Sequence, residues 1–360
     1  MSATADRGRI VTVLGPIEPA AAGLVSPHEH LIIDFLTIGE DKVRSGHQST
    51  WKADGGDHDP DCWCQPLSLR NHYEARRNQF HLRDTLRLSS VDDAVEALGD
   101  YRKAGGGTIV DVTSIDIGRD PKALREIARR SGVNVVMGAG YYVNNYHPAE
   151  IAHMDEHAIC DLIVRDIEEG VDGIRPGIIG EVGLIWPIHD RERLVLRAAA
   201  MAQQATGLCL TIHPGRHPRA PLDSMRIVEE AGGDPHRTIV GHLDRTIFEI
   251  VDYLELANTG CYLELDLFGM ESSFYPLADV DIPNDAMRVK TMRMLADRGH
   301  LDRLLISHDL SSRARLAKYG GEGYHHIASR ILPLMARRGF SQDEIDRVVR
   351  HNPQRALTVA

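Results

Sequence analysis

Eight short runs rich in β-branched residues recur along the chain, at about 23–28, 107–113, 133–139, 177–183, 208–213, 237–242, 260–266 and 303–308. Amphipathic helical patterns separate them. The clearest are "SVDDAVEALGDYRKAGG", "DPKALREIARRSG", "DEHAICDLIVRDIEEG", "DRERLVLRAAAMAQQATG" and "DAMRVKTMRMLADRG". Most open on Ser, Asp or Thr and close on Gly, the asymmetry of natural helix caps. Strands alternating with helices of this length imply a parallel sheet covered by helices. Eight is also the number that closes a (β/α)8 TIM barrel. An open, doubly wound sheet is the competitor. The barrel is preferred because polar residues fall at the ends of many different strands. The reading places a last helix at about 322–338 and a short one in "SQDEIDRVVRHNP". A long insertion at about 39–85 separates the first strand from its helix and reads as a loop excursion near the site. The whole chain, 1–360, is read as one barrel domain.

The first strand runs into "LVSPHEHLIIDF", which carries His28 and His30 in an apolar setting. Alternate strand residues share a face, so the two imidazoles point the same way. Glu181 is the single carboxylate of "GIIGEVGLI". His213 ends "LCLTIH", His242 ends "TIVGH", and His308 with Asp309 ends "RLLISHD". In a barrel the carboxyl ends of strands converge. His28, His30, Glu181, His213, His242 and Asp309 then line one pocket. Four imidazoles and two carboxylates suit zinc or another first-row divalent ion. Six ligands exceed the need of one catalytic ion with an open position, so two ions sharing Glu181 fit the count better, roughly 3.5–4 Å apart. Each residue alone has a plainer reading as a satisfied polar group. A carboxylate inside an apolar strand nevertheless needs a partner. His308, on the opposite strand face from Asp309, reads as packed or supporting.

Composition excludes several classes. A formal charge of −11 argues against nucleic-acid and anionic membrane partners. No apolar run reaches the roughly 18 residues of a membrane span. Pro16 and Pro19 interrupt any signal-peptide core. The five cysteines are odd in number, and Cys160, Cys209 and Cys261 read as small buried hydrophobes. The expected location is the cytoplasm. Cys62 and Cys64 in "CWC" have the wrong spacing for an ordinary CxxC zinc site. "VVMGAGYYV" lacks the third glycine of a dinucleotide fingerprint, and no P-loop or GxSxG motif occurs.

With "PHEHL", "GIIGEVGLIWP", "TIHPGR", "GHLDRT", "GCYLELDLFG", "SHDL" and "KYGGEGYHHI" in place, the chain resembles the phosphotriesterase family of the amidohydrolase superfamily. Its likeness is to the phosphotriesterase-related branch, over nearly its whole length. The resemblance implies a (β/α)8 barrel with a binuclear metal centre and suggests a homodimer. His28, His30 and Asp309 match the ligands of the more buried ion; His213 and His242 match those of the more exposed one. Glu181 matches the bridging position, where phosphotriesterases proper have a carboxylated lysine. Tyr142 in "GAGYYV" matches a tyrosine that lactonases of the family place beside the metals.

The expected activity is hydrolysis of a small molecule by a metal-bridging hydroxide attacking a carbonyl, in a lactone or an N-acyl amide with an acidic group. Asp309 is expected to take up the proton and pass it to the leaving group. Organophosphate triester hydrolysis is the alternative. A non-catalytic small-ligand-binding protein on the same barrel ranks low, because all six ligand positions are present. Arg216 and Arg245, each three residues past a histidine, are the candidate anion holders. Arg219 follows close behind. For Arg245 an ion pair with Asp244, Glu264 or Asp266 is the favoured reading. Lys318 and Tyr319, beyond the eighth strand, are further substrate-binding candidates beside a glycine pair that allows a lid to move.

Overall fold

The computed structural model describes residues 6–44, 62–272 and 275–360. Eight parallel strands, β1 (Leu24–Glu29), β2 (Gly106–Asp111), β3 (Asn134–Ala139), β4 (Ile178–Gly183), β5 (Leu210–His213), β6 (Thr238–Val240), β7 (Tyr262–Leu265) and β8 (Leu304–Ile306), pair in sequence order. β8 returns beside β1 in a nearly closed barrel, and their seam relies on side chains. Ser307 Oγ accepts from the His28 N–H at 2.9 Å and lies 2.7 Å from the His28 carbonyl. The Asp309 N–H donates to the same carbonyl at 3.1 Å. Glu29 reaches across to the His308 imidazole at 2.6 Å and takes the His308 and Leu310 N–H groups at 3.0 and 3.1 Å. Burial pushes the Glu29 carboxyl up, but His308 and these donors outweigh it and hold its pKa at about 2. His308 therefore closes the barrel and stands outside the ligand pocket.

Helices α1 (Val91–Lys103), α2 (Pro121–Ser131), α3 (Glu156–Glu169), α4 (Asp190–Thr206), α5 (Ala220–Glu230), α6 (Ile250–Ala257), α7 (Asp285–Ala296) and α8 (Leu332–Arg337) cover the strands. Side chains of Ser90, Asp120, Asp155 and Asn284 accept the first free N–H groups of α1, α2, α3 and α7. The core lies between strands and helices, with Leu98, Ile109, Leu124, Val135, Ile179 and Leu196 fully buried. A second cluster takes Val25, Val110, Val136, Ile178, Ile239, Tyr262 and Leu305 from seven of the strands, joined by Cys209 and closed by Ile10, Ala356 and Leu357. Each such aliphatic side chain contributes roughly 1.5–3 kcal/mol of burial. Cys160 and Cys261 are buried as well. No described helix is long and apolar enough to cross a membrane.

Several boundaries differ from the sequence reading. β6, β7 and β8 stop before His242, Asp266 and His308. His242 and Asp309 take left-handed backbone, φ 52° and 48°, so the chain leaves the ladder to turn these side chains inward. The helix expected at 322–338 starts later, at Ile327, because Gly323 and Tyr324 belong to the loop beneath the site. The last helical segment runs on to Leu357. The insertion is bracketed by a two-stranded pairing of Ile33–Asp34 with Arg87–Leu88. Its described parts are short helical turns, Glu40–Arg44, Cys62–Cys64, His72–Arg77 and Gln79–His81, where a loop was expected. The stretch 45–61 lies outside the described residues. Cys62 is buried and Cys64 exposed.

Candidate metal centre

The carboxyl ends of β1, β4, β5, β6 and β8 deliver donors to one point. Glu181 lies at the centre. Its Oε2 is 2.8 Å from His213 Nδ1, 3.3 Å from His242 Nε2 and 3.5 Å from His28 Nε2. Its Oε1 is 3.4 Å from His30 Nε2, which is also 3.2 Å from Asp309 Oδ1. Donors at 2.0–2.1 Å around a tetrahedral ion stand roughly 3.3 Å apart, so most of these spacings match a shared ion. The His213 Nδ1 to His242 Nε2 distance of 2.8 Å is tighter and must open by about half an ångström. His28 Nε2 is buried without a hydrogen-bond partner among the described residues and faces the cluster. Three overlapping triads emerge among the described residues: His28–His30–Glu181, Glu181–His213–His242 and, on the outer side, His28–His242–Asp266. The donor set fits two divalent ions.

A second layer of groups aims these donors. Asp266 Oδ1 is 2.8 Å from His242 Nδ1, and its Oδ2 takes the His242 N–H at 2.8 Å. Glu264 Oε2 is 3.2 Å from His28 Nδ1, and Thr113 Oγ1 is 2.8 Å from His30 Nδ1. Asp111 accepts the Leu31 N–H at 2.7 Å and so fixes the turn after His30. Nε2 of His28, His30 and His242 is thereby left facing inward. Sequence reading assigned none of these four residues this role, although "ELD" in "GCYLELDLFG" puts two carboxylates on one side of an apolar strand.

Electrostatics match a cation-binding function. Burial works against charge on His28, but Asp266 and Glu181 outweigh it and raise its pKa well above the ordinary value. His30 is raised to about 9 against burial, by Asp309 and Glu181. Glu181 is held well below the usual carboxylate range by His213, His242 and His28, although burial opposes this. Burial and the neighbouring His242 lower the His213 pKa well below its ordinary value. Asp266→Asn is expected to weaken metal binding about 10–100-fold while leaving the fold intact. Metal titration by calorimetry checks this, and unchanged affinity contradicts the aiming role.

A cavity of about 80 Å³ above the donors is lined by His30, Phe35, Phe80, Tyr142, Glu181, His213, Arg216, Arg245, Tyr275, Asp309 and Ser312. Tyr142 is buried, with its hydroxyl 3.5 Å from His213 Nε2 and its N–H held by Asp116 at 2.9 Å. Arg216 Nε donates to Tyr275 OH at 3.1 Å. The ion pair expected for Arg245 does not form. Asp244 is taken by the buried Arg288 at 2.6 Å, while Glu264 and Asp266 serve the histidines. Arg245 instead lies 3.1 Å from His213 Nε2 and 3.2 Å from the Pro214 carbonyl. Lys318 and Tyr319 are not brought to this cavity. Both reach back to Asp93 on α1, at 2.7 and 2.9 Å, because their loop folds over that helix. Arg219 is exposed at the start of α5. Of the two expected hinge glycines, Gly321 packs tightly, since a Cβ there would lie 2.2 Å from the Arg315 backbone, whereas Gly320 has only the His72 ring in ordinary contact.

A parallel eight-stranded barrel whose strand ends gather imidazoles and carboxylates is an arrangement that metal-dependent hydrolases use. The chain is a member of the phosphotriesterase family, whose model matches residues 8–357. N-acetyltaurine hydrolase of Salmo salar is 42% identical over 355 residues, covering 98% of each chain. Among solved structures, a resiniferatoxin-binding protein from Rhodobacter sphaeroides superposes with a TM-score of 0.88 at 34% identity, covering 97% of this chain and 95% of that one. The phosphotriesterase homology protein from Escherichia coli, solved with phosphate in its active site, gives 0.72 at 25% identity, covering 94% and 99%.

Proposed function

We propose that the protein hydrolyses N-acyl amides whose amine half carries a small acidic group, N-acetyltaurine being the reference substrate. One observation carries the reading. Arg216 and Arg245 flank His213 in the cavity, and neither has a carboxylate within ion-pair distance among the described residues. Two guanidinium groups without acidic partners favour an anion there. The name of the Salmo salar relative supports a sulfonate, and the phosphate held by the Escherichia coli neighbour supports a tetrahedral anion.

His28, His30 and Asp309 would hold one divalent ion, His213 and His242 the other, with Glu181 between them; zinc is the first candidate. Ions bound there supply an activated water at neutral pH and a Lewis acid for the scissile carbonyl. The protein's own groups do the rest. Arg216 and Arg245 orient the acid end, which places the amide against Tyr142 and the donor cluster. Asp309 accepts the proton of the attacking water and returns it to the leaving amine. Phe35 and Phe80 exclude solvent from the acyl side.

The test is a matched panel on zinc-reconstituted protein: N-acetyltaurine, its uncharged N-acetylethylamine counterpart, a γ-lactone and an aryl phosphotriester. N-acetyltaurine is expected to give the highest kcat/KM. Arg216→Ala should lower that value about 10–100-fold, the worth of hydrogen bonds to a charged group, with the uncharged amide unaffected. Equal losses on both amides refute the anion clamp. A dominant lactone or phosphotriester rate replaces the amide reading.

A further inference from the structure

The helix His72–Arg77 of the insertion roofs the cavity, with Ala75 and Arg76 in its lining. Two bonds pin it to the loop after β8. His72 Nε2 lies 3.0 Å from the Ala314 carbonyl, and Arg76 NH1 meets Glu322 Oε2 at 2.7 Å. Arg76 NH2 also donates to the Gly269 carbonyl at 2.9 Å. The other Glu322 oxygen, Oε1, takes Arg315 Nε at 2.5 Å. Arg315 then turns its remaining nitrogens onto two backbone carbonyls, NH1 to Asp309 at 2.7 Å and NH2 to Phe268 at 3.2 Å. Glu322 and Arg315 are nearly buried, with side-chain exposures of 7% and 6%. One carboxylate therefore ties the roof on one side and the backbone of a ligand residue on the other. That backbone is left-handed at Asp309 and depends on its surroundings to keep this conformation.

We propose that Glu322 is a positioning residue that couples closure of the 72–77 helix over the cavity to the placement of the Asp309 carboxylate, acting through Arg315. The coupling rests on Asp309 serving the reaction as described above, but not on the identity of the substrate. Arg76 is the roof-side arm and Arg315 the site-side arm. When the roof is seated, Glu322 is fully engaged by both arginines and Asp309 is held; when the roof lifts, Glu322 loses Arg76, its carboxylate is freer to shift, and the Arg315 hold on Asp309 loosens.

The experiment uses full-length, metal-reconstituted protein and three variants, Arg76→Ala, Glu322→Gln and Arg315→Lys. It reads amide hydrogen exchange in 72–77, metal affinity, and kcat and KM on the best substrate of the panel. Arg76→Ala should speed exchange in 72–77, raise KM and lower kcat and metal affinity about three- to fivefold, less than Glu322→Gln does because the Glu322–Arg315 bond remains. Glu322→Gln should speed the same exchange and also lower kcat and metal affinity by about tenfold or more, as for other supporting partners of ligands. Arg315→Lys should lower kcat and metal affinity without speeding exchange in 72–77, and it decides the matter if Glu322→Gln fails to fold. The coupling is overturned if Arg76→Ala speeds exchange in 72–77 yet leaves kcat and metal affinity at wild-type values, or if Arg315→Lys leaves both at wild-type values. Exchange and metal affinity need no substrate, so a wrong amide assignment and a wrong coupling give different patterns.

Discussion

Glu181→Gln will bind at most one divalent ion per chain and will turn over at least about 1000-fold more slowly, a loss of roughly 4 kcal/mol in transition-state stabilisation. The carboxylate stands within 3.5 Å of four imidazole nitrogens, from β1 and β5 and the turns after β1 and β6. Gln keeps the shape but removes the only charge that touches all four, and its amide nitrogen presents N–H groups where donors of lone pairs are required. Two cations would then repel each other without a shared anion between them. Elemental analysis of purified protein, with kcat on the best substrate, is the measurement. Two ions per chain at wild-type rate would refute the bridging assignment. Circular dichroism should stay at wild type, since the β4 backbone around Glu181 is held by its own ladder and by the bond from the Glu181 N–H to Val112.

Asp309→Asn is the second large effect, with kcat expected to fall about 100–10,000-fold, the span of a lost general acid–base, and KM to change by less than about threefold. Asn is the informative replacement for a backbone reason. Position 309 has φ 48°, a conformation that Asn tolerates nearly as well as Asp and that Ala does not. Arg315 and the seam bond to His28 both engage the backbone of Asp309, so they survive the change. A rise in KM at constant kcat would assign Asp309 to binding alone. Single-turnover rates under saturating metal separate loss of the proton carrier from loss of an ion.

The alternation of apolar strands and capped helices made the barrel legible, because each strand must be buried on both faces and each helix on one. That His28, His30, Glu181, His213, His242 and Asp309 converge was legible for a related reason: an imidazole or carboxylate at the end of a buried strand is costly unless something meets it. The groups that aim them were harder. Asp266 and Glu264 stand in plain view in "LELDL", yet only the barrel shows that His242 and His28 face them. Arg245 was matched to Asp244, Glu264 or Asp266, but Arg288, on α7, occupies the first, and the other two face His28 and His242. Lys318 and Tyr319 looked site-directed from their place after β8, whereas Asp93, more than 220 residues earlier, holds them. Pairings across such separations leave no local periodic trace. The strand ends were overextended because periodicity cannot register the left-handed turn at His242 or Asp309.

The side-chain seam between β1 and β8 bears on how the protein is made. Glu29 must wait for His308, which lies 279 residues further along the chain. At roughly 5–20 residues per second of synthesis that is tens of seconds during which the first stave has no last neighbour. His28 and His30 leave the ribosome early and Asp309 late, so the cluster they form is complete only when translation has reached the final stave. A chain cut short before β8 lacks Asp309 and the partners of Glu29, so it cannot assemble the full donor cluster.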